Sequence, residues 1–256
     1  WFKLIEKYAY KFGDFAVVSS QHTCKYIQEK YGISNQKISV LYNYINLELF
    51  APKNKSNKYK NRVLYVGRLH TEKNLFSLIE AISKTNFILD IYGQGDKLER
   101  QLRSFAIKKN AKVNFFGVIS NERLPKIYNK YIYFILPSYH EGMPKTLIEA
   151  MASGCLCLGT DVSGINEIIC NGYNGILSKT TSVDSIYDAL MKASSSNDKE
   201  MLIQNGISFI KNKKELWRMK SILVNFVNQT RKLIADTHKQ GEKEKNQLLN
   251  KLNSLG

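Results

Sequence analysis

The 256-residue chain has no run approaching the ~20 consecutive apolar residues that a bilayer-spanning helix needs, so none is expected in it. Cysteine is scarce. Cys24, Cys155, Cys157 and Cys170 do not make a disulfide framework in a chain this long, and a reducing, cytoplasmic compartment is expected. Cys155-Leu156-Cys157 suggests a thiolate pair, but Cys-Leu-Cys-Leu reads better as a buried strand with cysteine as a small apolar residue. No group of histidine, cysteine and carboxylate has metal-ligand spacing, so no metal is expected. Internal repeats and low-complexity tracts are missing. Negative charge is in short supply: 22 acidic residues face 38 basic ones, for a formal net charge of +16. No RNA- or DNA-binding motif accompanies it, and no nucleic-acid partner is expected. The excess answers to phosphorylated substrates or to an anionic membrane surface, with the protein peripheral on the inner face of the membrane. The lysines from Lys53 to Lys60 and after Lys211 read equally as solvated loop and helix faces. There is neither an initiator methionine nor a signal peptide. The chain opens at Trp1 in what reads as an amphipathic helix (Trp1, Leu4, Ile5, Tyr8), so an internal start, and hence a fragment, is expected.

What is present is ordinary globular material, 43% hydrophobic and 23% charged, enough to bury a core. Residues 1–43 carry a strand (Phe15–Ser20), a helix through Lys25 to Lys30 and a strand (Ile38–Tyr42). Two strands around one helix cannot make a core alone, so this unit is expected to be the end of a larger domain. A polar linker is expected at 44–60, where Pro52-Lys53-Asn54-Lys55-Ser56-Asn57-Lys58 has no apolar period. From 61 to 198 short β-rich runs recur at Val63–Val66, Phe87–Tyr92, Val113–Phe116, Ile132–Leu136 and Leu156–Leu158. Helical segments lie between, such as the apolar face Leu75, Phe76, Leu78, Ile79, Ile82. Asp96 with Glu99 predicts a capping box at the head of the next helix. This alternation predicts an α/β fold, a doubly wound parallel sheet with helices on both faces. Ligands of such sheets bind at the carboxyl ends of the strands.

The loops at those ends carry the chemistry. Gly67-Arg68-Leu69-His70-Thr71-Glu72-Lys73 follows the first strand. Its glycine allows a tight turn, and its Arg68 fork and Lys73 point charge suit a diphosphate, although a plain polar loop has the same composition. Tyr92-Gly93-Gln94-Gly95 offers a second turn open to close backbone approach. The longest signal is Pro137-Ser138-Tyr139-His140-Glu141-Gly142-Met143-Pro144-Lys145-Thr146-Leu147-Ile148-Glu149, running to Gly154. Pro144 and Gly154 bracket a short helix whose first turn holds no acid, so its amides and dipole stay free for an outside anion. Glu141 and Glu149 raise glycoside cleavage as an alternative. Eight helical steps separate them by about 12 Å, against roughly 5–9.5 Å for a cleavage pair. Binding of two different hydroxyl groups explains that spacing more easily. Thr160 to Glu167 is expected to enter another helix, with Glu167 either favouring its N-terminus or touching ligand, and Asn171–Gly175 reads as a turn. His70 and His140 also lie in the mouth loops, as sugar-oxygen contacts or as ordinary surface histidines.

In order, Val66-Gly67-Arg68-Leu69, Lys73-Asn74, Gly93-Gln94-Gly95, Glu141-Gly142-Met143-Pro144…Glu149-Ala150-Met151-Ala152 and Gly172…Gly175 make the chain resemble the retaining GT-B glycosyltransferases of family 4, the group 1 glycosyl transferases. The resemblance covers about residues 10–195. It implies that 61–198 is a Rossmann-like domain binding a UDP- or GDP-linked sugar, and that 1–43 is the remnant of an acceptor domain. Arg68 and Lys73 would hold the diphosphate and stabilise its departing charge. Glu141 and the stretch Gly142, Met143, Pro144, Lys145, Thr146 and Leu147 would face the sugar and phosphates. Glu149 would take the ribose hydroxyls, while Gly67, Gly93 and Val118, beside Gly117, would lie near the phosphates and the base. No metal and no cofactor is implied. The implied reaction is transfer, with retention, to a glycan or lipid-linked acceptor in surface polysaccharide synthesis. The alternative is a nucleotide-sugar-binding module, and the fragment alone is expected to be inactive. Cys155-Leu156-Cys157 and Ser163-Gly164 depart from the usual Pro-Val and Gly-Gly. Residues 199–256 read as C-terminal helices and a basic tail, with a stripe from Leu216 to Val227 expected to pack and fraying or disorder expected beyond about Asp236.

Overall fold

The structure is a computed structural model that describes residues 2–13, 16–41, 43, 45–53, 58–212 and 239–245. The chain divides into two units, Trp1–Trp217 and Arg218–Gly256. The stripe from Leu216 to Val227 lies outside the described residues.

The first unit opens with helix α1 (Phe2–Phe12), strand β1 (Ala16–Val18), helix α2 (Gln21–Tyr31) and strand β2 (Ile38–Val40), with β1 and β2 paired in parallel. Ser20 caps α2, its Oγ accepting from the Thr23 amide at 3.1 Å, and Gly32 ends it at φ +66. The buried apolar side chains among the described residues here are Val18, Cys24, Ile27 and Ile38. That cluster is small, as expected for two strands and a helix. On α1, Ile5, Tyr8 and Phe12 are exposed.

The main sheet holds β3 (Tyr59–Val66), β4 (Ile88–Tyr92), β5 (Val113–Phe115), β6 (Tyr131–Leu136), β7 (Leu156–Thr160) and β8 (Ile176–Ser178). All its pairs are parallel, in the order β5-β4-β3-β6-β7-β8. Two groups of helices flank it. Helix α3 (Leu75–Ser83) meets α4 (Asp96–Lys108) and α7 (Val183–Ser195), while α6 (Lys145–Ala152) meets α5 (Leu124–Tyr128) and α8 (Lys199–Asn212). From β3 the chain builds outward to β5, then returns to β6 and builds the other way. The switch point therefore lies between β3 and β6, and it sets the Gly67–Lys73 and Pro137–Pro144 loops side by side.

Several expectations are corrected. No capping box forms at Asp96: Gly95 is the N-cap with no side-chain bond, and Glu99 pairs with Arg103 instead. Residues 161–168 make successive turns, not a helix, because Gly164 at φ +79 interrupts the right-handed run. The expected linker is partly core. Ile45 and Phe50 are buried, Phe50 lies 5.9 Å from the Tyr128 ring, and β3 already begins at Tyr59. Helix α8 belongs to the main core through buried Leu202, Gly206, Ile207 and Ile210. Lys58 and Lys199 close two helix C-termini, their ammonium groups donating to Gly154 O at 2.6 Å and Ser194 O at 2.7 Å. In the second unit 239–245 is helical and exposed, within the stretch where fraying or disorder was expected. Its Lys, Gln and Glu residues are good helix formers without any burial.

Candidate functional site

Tyr65, buried on β3, donates its hydroxyl to Arg68 O at 2.9 Å and so fixes the turn at Gly67–Arg68. Burial first, and the nearby Glu141 carboxylate second, push the Tyr65 hydroxyl far up, which keeps it a proton donor. A Cβ at Gly67 would stand 2.8 Å from that hydroxyl. One at Gly93 would stand 1.8 Å from Gly67 O, so the loops after β3 and β4 touch backbone to backbone. Gly93 N in turn donates to Gly117 O at 2.8 Å, and Val118 beyond it is 66% exposed. Phe116 stacks on Tyr92 with ring centroids 4.7 Å apart.

The loops after β3 and β6 are joined by an ion pair. Lys73 Nζ lies 2.6 Å from Glu141 Oε1, with both side chains largely covered. Ser138, fully buried, donates to the same oxygen at 2.7 Å, and its carbonyl is held by Thr160 Oγ1 at 2.5 Å. Tyr139 N adds a backbone bond to Glu72 O at 2.9 Å. Arg68 is exposed and makes no ion pair among the described residues. His70 and His140 flank Glu72 at 3.4 and 3.7 Å, outside the Lys73–Glu141 pair.

Helix α6 starts as its sequence predicts. Pro144 is its N-cap at φ −73, no acid lies in its first turn, and no side chain caps it. Among the described residues nothing accepts from the Lys145 and Thr146 amides, which leaves a ready anion site beside Glu141. Met143, Pro144 and Leu147 are buried, so this stretch offers a ligand its backbone, with Gly142, Lys145 and part of Thr146 at the surface. Glu149 is one of the buried residues of α6. Its side chain is 4% exposed, and Oε2 accepts from Tyr128 Oη at 3.1 Å while Oε1 lies 3.6 Å from Lys145 Nζ. Burial raises its pKa, and Lys145 and the Tyr128 bond offset part of that.

Ser138 was missed from sequence, and Ser163-Gly164 was noted only as a departure from the usual Gly-Gly. Glu141 N donates to Ser163 O at 3.2 Å, and a Cβ on Gly164 would stand 2.4 Å from Gly142 O. Nothing local announces such contacts between strands' loops. Cys155 and Cys157 are buried, as Cys-Leu-Cys-Leu predicted, and burial pushes the Cys155 thiol up to about 11. Among the described residues no cluster of three or more His, Cys, Asp or Glu could hold a metal ion, and no helix is long and apolar enough to cross a membrane.

The parallel sheet thus brings a switch-point crevice, a basic turn and an uncapped helix start together at one end. The chain belongs to the glycosyl transferases group 1 family, whose model matches residues 48–209. It is 30% identical over 183 residues to the Escherichia coli UDP-Gal:alpha-D-GlcNAc-diphosphoundecaprenol alpha-1,3-galactosyltransferase, covering 65% of this chain and 47% of that protein. It is 33% identical over 187 residues to an Escherichia coli O-antigen biosynthesis glycosyltransferase, WbnH, covering 73% and 52%. The fold matches sucrose-phosphate synthase of Thermosynechococcus elongatus with a TM-score of 0.77 at 22% identity, covering 91% of this chain and 61% of that one. The expected GT-B architecture is thus present. The chain spans about half the length of these two curated relatives.

Proposed function

We propose that the chain carries the sugar-nucleotide side of a retaining hexosyltransferase that moves a sugar from a UDP- or GDP-linked carrier to a glycan or lipid-linked acceptor in surface polysaccharide synthesis. The observation that carries this is the juxtaposition, at one switch point, of Arg68, which has no ion pair among the described residues, the Lys73–Glu141 pair and the start of α6, whose Lys145 and Thr146 amides have no acceptor among them. A diphosphate on those amides lies where Arg68 supplies a free fork and Lys145 a second exposed ammonium. Lys73 already shares its charge with Glu141, so its part is to hold Glu141 toward the sugar while adding positive field to the departing phosphate. The backbone contact of Gly93 with Gly67 and Gly117, next to exposed Val118, supports a base in that corner. Glu149 reaches a ribose only through the oxygen beside Lys145, since Tyr128 holds the other. Relatives named for a diphosphoundecaprenol-linked acceptor and for O-antigen synthesis support the acceptor class, and the formal charge of +16 supports an anionic membrane surface as the place of work.

Calorimetry with UDP, GDP and ADP tests the reading. One of the first two binds, and Arg68→Ala weakens it at least tenfold, about 1.4 kcal/mol, with thermal stability changed by less than ~0.5 kcal/mol. Absence of diphosphate binding sinks it. A transfer assay on the full-length protein then separates an enzyme from a binding module.

A further inference from the structure

The first turn of α2 lacks an acidic residue of its own. Ser20 Oγ takes the Thr23 amide and Ser20 O takes the Cys24 amide, which leaves Gln21 and His22. Both are taken by one side chain, 146 and 145 positions further on. Glu167 accepts from Gln21 N at 3.0 Å through Oε2 and from His22 N at 3.1 Å through Oε1. A carboxylate on two adjacent amides at a positive helix end is a charge-assisted contact, stronger than a chance surface bond.

The turn that carries Glu167 is itself fastened to the catalytic loop. Ser163 bonds Glu141 in both directions, its O accepting from Glu141 N at 3.2 Å and its Oγ donating to Glu141 O at 3.4 Å. Gly164 lies too close to Gly142 for any side chain. One more tie reaches the same loop from the N-terminal side: Asn43 Nδ2 donates to Met143 O at 2.6 Å. We propose that Glu167 is a positioning residue of the transfer reaction: it seats the N-terminus of α2 and thereby holds the acceptor-side elements against the loop that carries Glu141. This rests on the reading of that loop as the sugar-nucleotide site. Because the ties converge on the loop, ligand binding there and the seating of α2 favour one another, reciprocally.

Two variants test it from opposite sides. Glu167→Gln removes the charge. Gln21→Pro removes one amide, and proline is tolerated there because Gln21 is the first helical residue and Ser20 before it is extended (φ −146, ψ 154). Hydrogen exchange on the full chain is expected to show the His22 amide losing about tenfold protection in either variant, with the double variant no worse than the single ones. UDP is expected to raise that protection in the unaltered protein and not in Glu167→Gln. In transfer by the full-length protein, kcat is expected to fall about tenfold, while the UDP Kd rises by no more than the factor by which UDP raises His22 protection. Unchanged protection, additive losses, UDP binding without any effect at His22, or unchanged kcat overturns the proposal. A UDP Kd that rises by more than that factor also overturns it, making Glu167 a ligand-binding residue. If the unaltered protein binds GDP alone, GDP replaces UDP in these measurements; if it binds neither, the proposed function fails first and takes this role with it, while the exchange contrast still reports whether the contact exists.

Discussion

Arg68 and Lys73 stand six residues or fewer apart on one turn, yet they are held differently. Lys73 is neutralised by Glu141 at 2.6 Å, whereas Arg68 has no paired carboxylate among the described residues. Removing them therefore has different effects. Arg68→Ala acts on ligand affinity, while Lys73→Ala also leaves Glu141 nearly covered beside Ser138 alone. That loss is expected to be about 1–3 kcal/mol of stability, read from the urea midpoint. The cysteines make a second case at this scale. Cys24, Cys155 and Cys157 are buried and Cys170 is exposed. The thiolate is the reactive form, and burial raises Cys155 and Cys157. Mass spectrometry after iodoacetamide at pH 8 is expected to find Cys170 modified in the native protein, and the buried three only after unfolding. The buried-strand reading of Cys-Leu-Cys-Leu was legible because it needs only adjacent residues. The role of Ser138 was not, since the oxygen it bonds points at it only once β6 and its loop are folded.

At the scale of elements, the α6 start and the 161–168 turns decide the site. Pro144 and Gly154 marked α6 correctly, because capping is local chemistry. The missing helix after β7 traces to Gly164, whose φ of +79 no short sequence pattern announces. Gly164→Ala is expected to lose about 1–3 kcal/mol, since the residue is left-handed and its Cβ would collide with Gly142 O. Chemical denaturation checks this, and a loss below about 0.5 kcal/mol would show the turn to be pliable. Glu149 on α6 gives a pH signature. Burial raises its folded pKa above the unfolded value, so the unfolded chain ionises first as pH rises. Its favourable contribution is complete below the unfolded carboxyl value and disappears as pH climbs through the raised folded one. The melting temperature of Glu149→Gln, relative to the unaltered protein, is accordingly expected to be higher at pH 7 than at pH 4. A constant difference across that range contradicts burial as the cause of the raised pKa.

Over the whole molecule, one buried carboxylate ties four strands of the sheet. Asp90 on β4 takes Arg62 from β3 at 2.8 Å, Asn114 from β5 at 2.8 Å and Tyr131 from β6 at 2.7 Å. Asp90→Ala strands all three partners and is expected to destabilise the fold by about 3–5 kcal/mol, measured by urea unfolding. Asp90→Asn, which keeps acceptor and shape, is expected to lose less. No sequence pattern singled out this network, because its members are 24 to 41 residues from Asp90. Sequence alone determined the alternation of strands and helices, the parallel sheet, the basic turn at Arg68 and Lys73, and the acid-free start of α6. All of these rest on periodicity or on capping within a few residues. The tertiary structure alone decided that Lys73 is spent on Glu141, that Glu149 turns inward to Tyr128, and that Glu167 closes the start of α2 rather than a helix of its own. Those outcomes depend on which loops the strand order β5-β4-β3-β6-β7-β8 brings together, and on what each carboxylate finds within hydrogen-bonding reach when it arrives there.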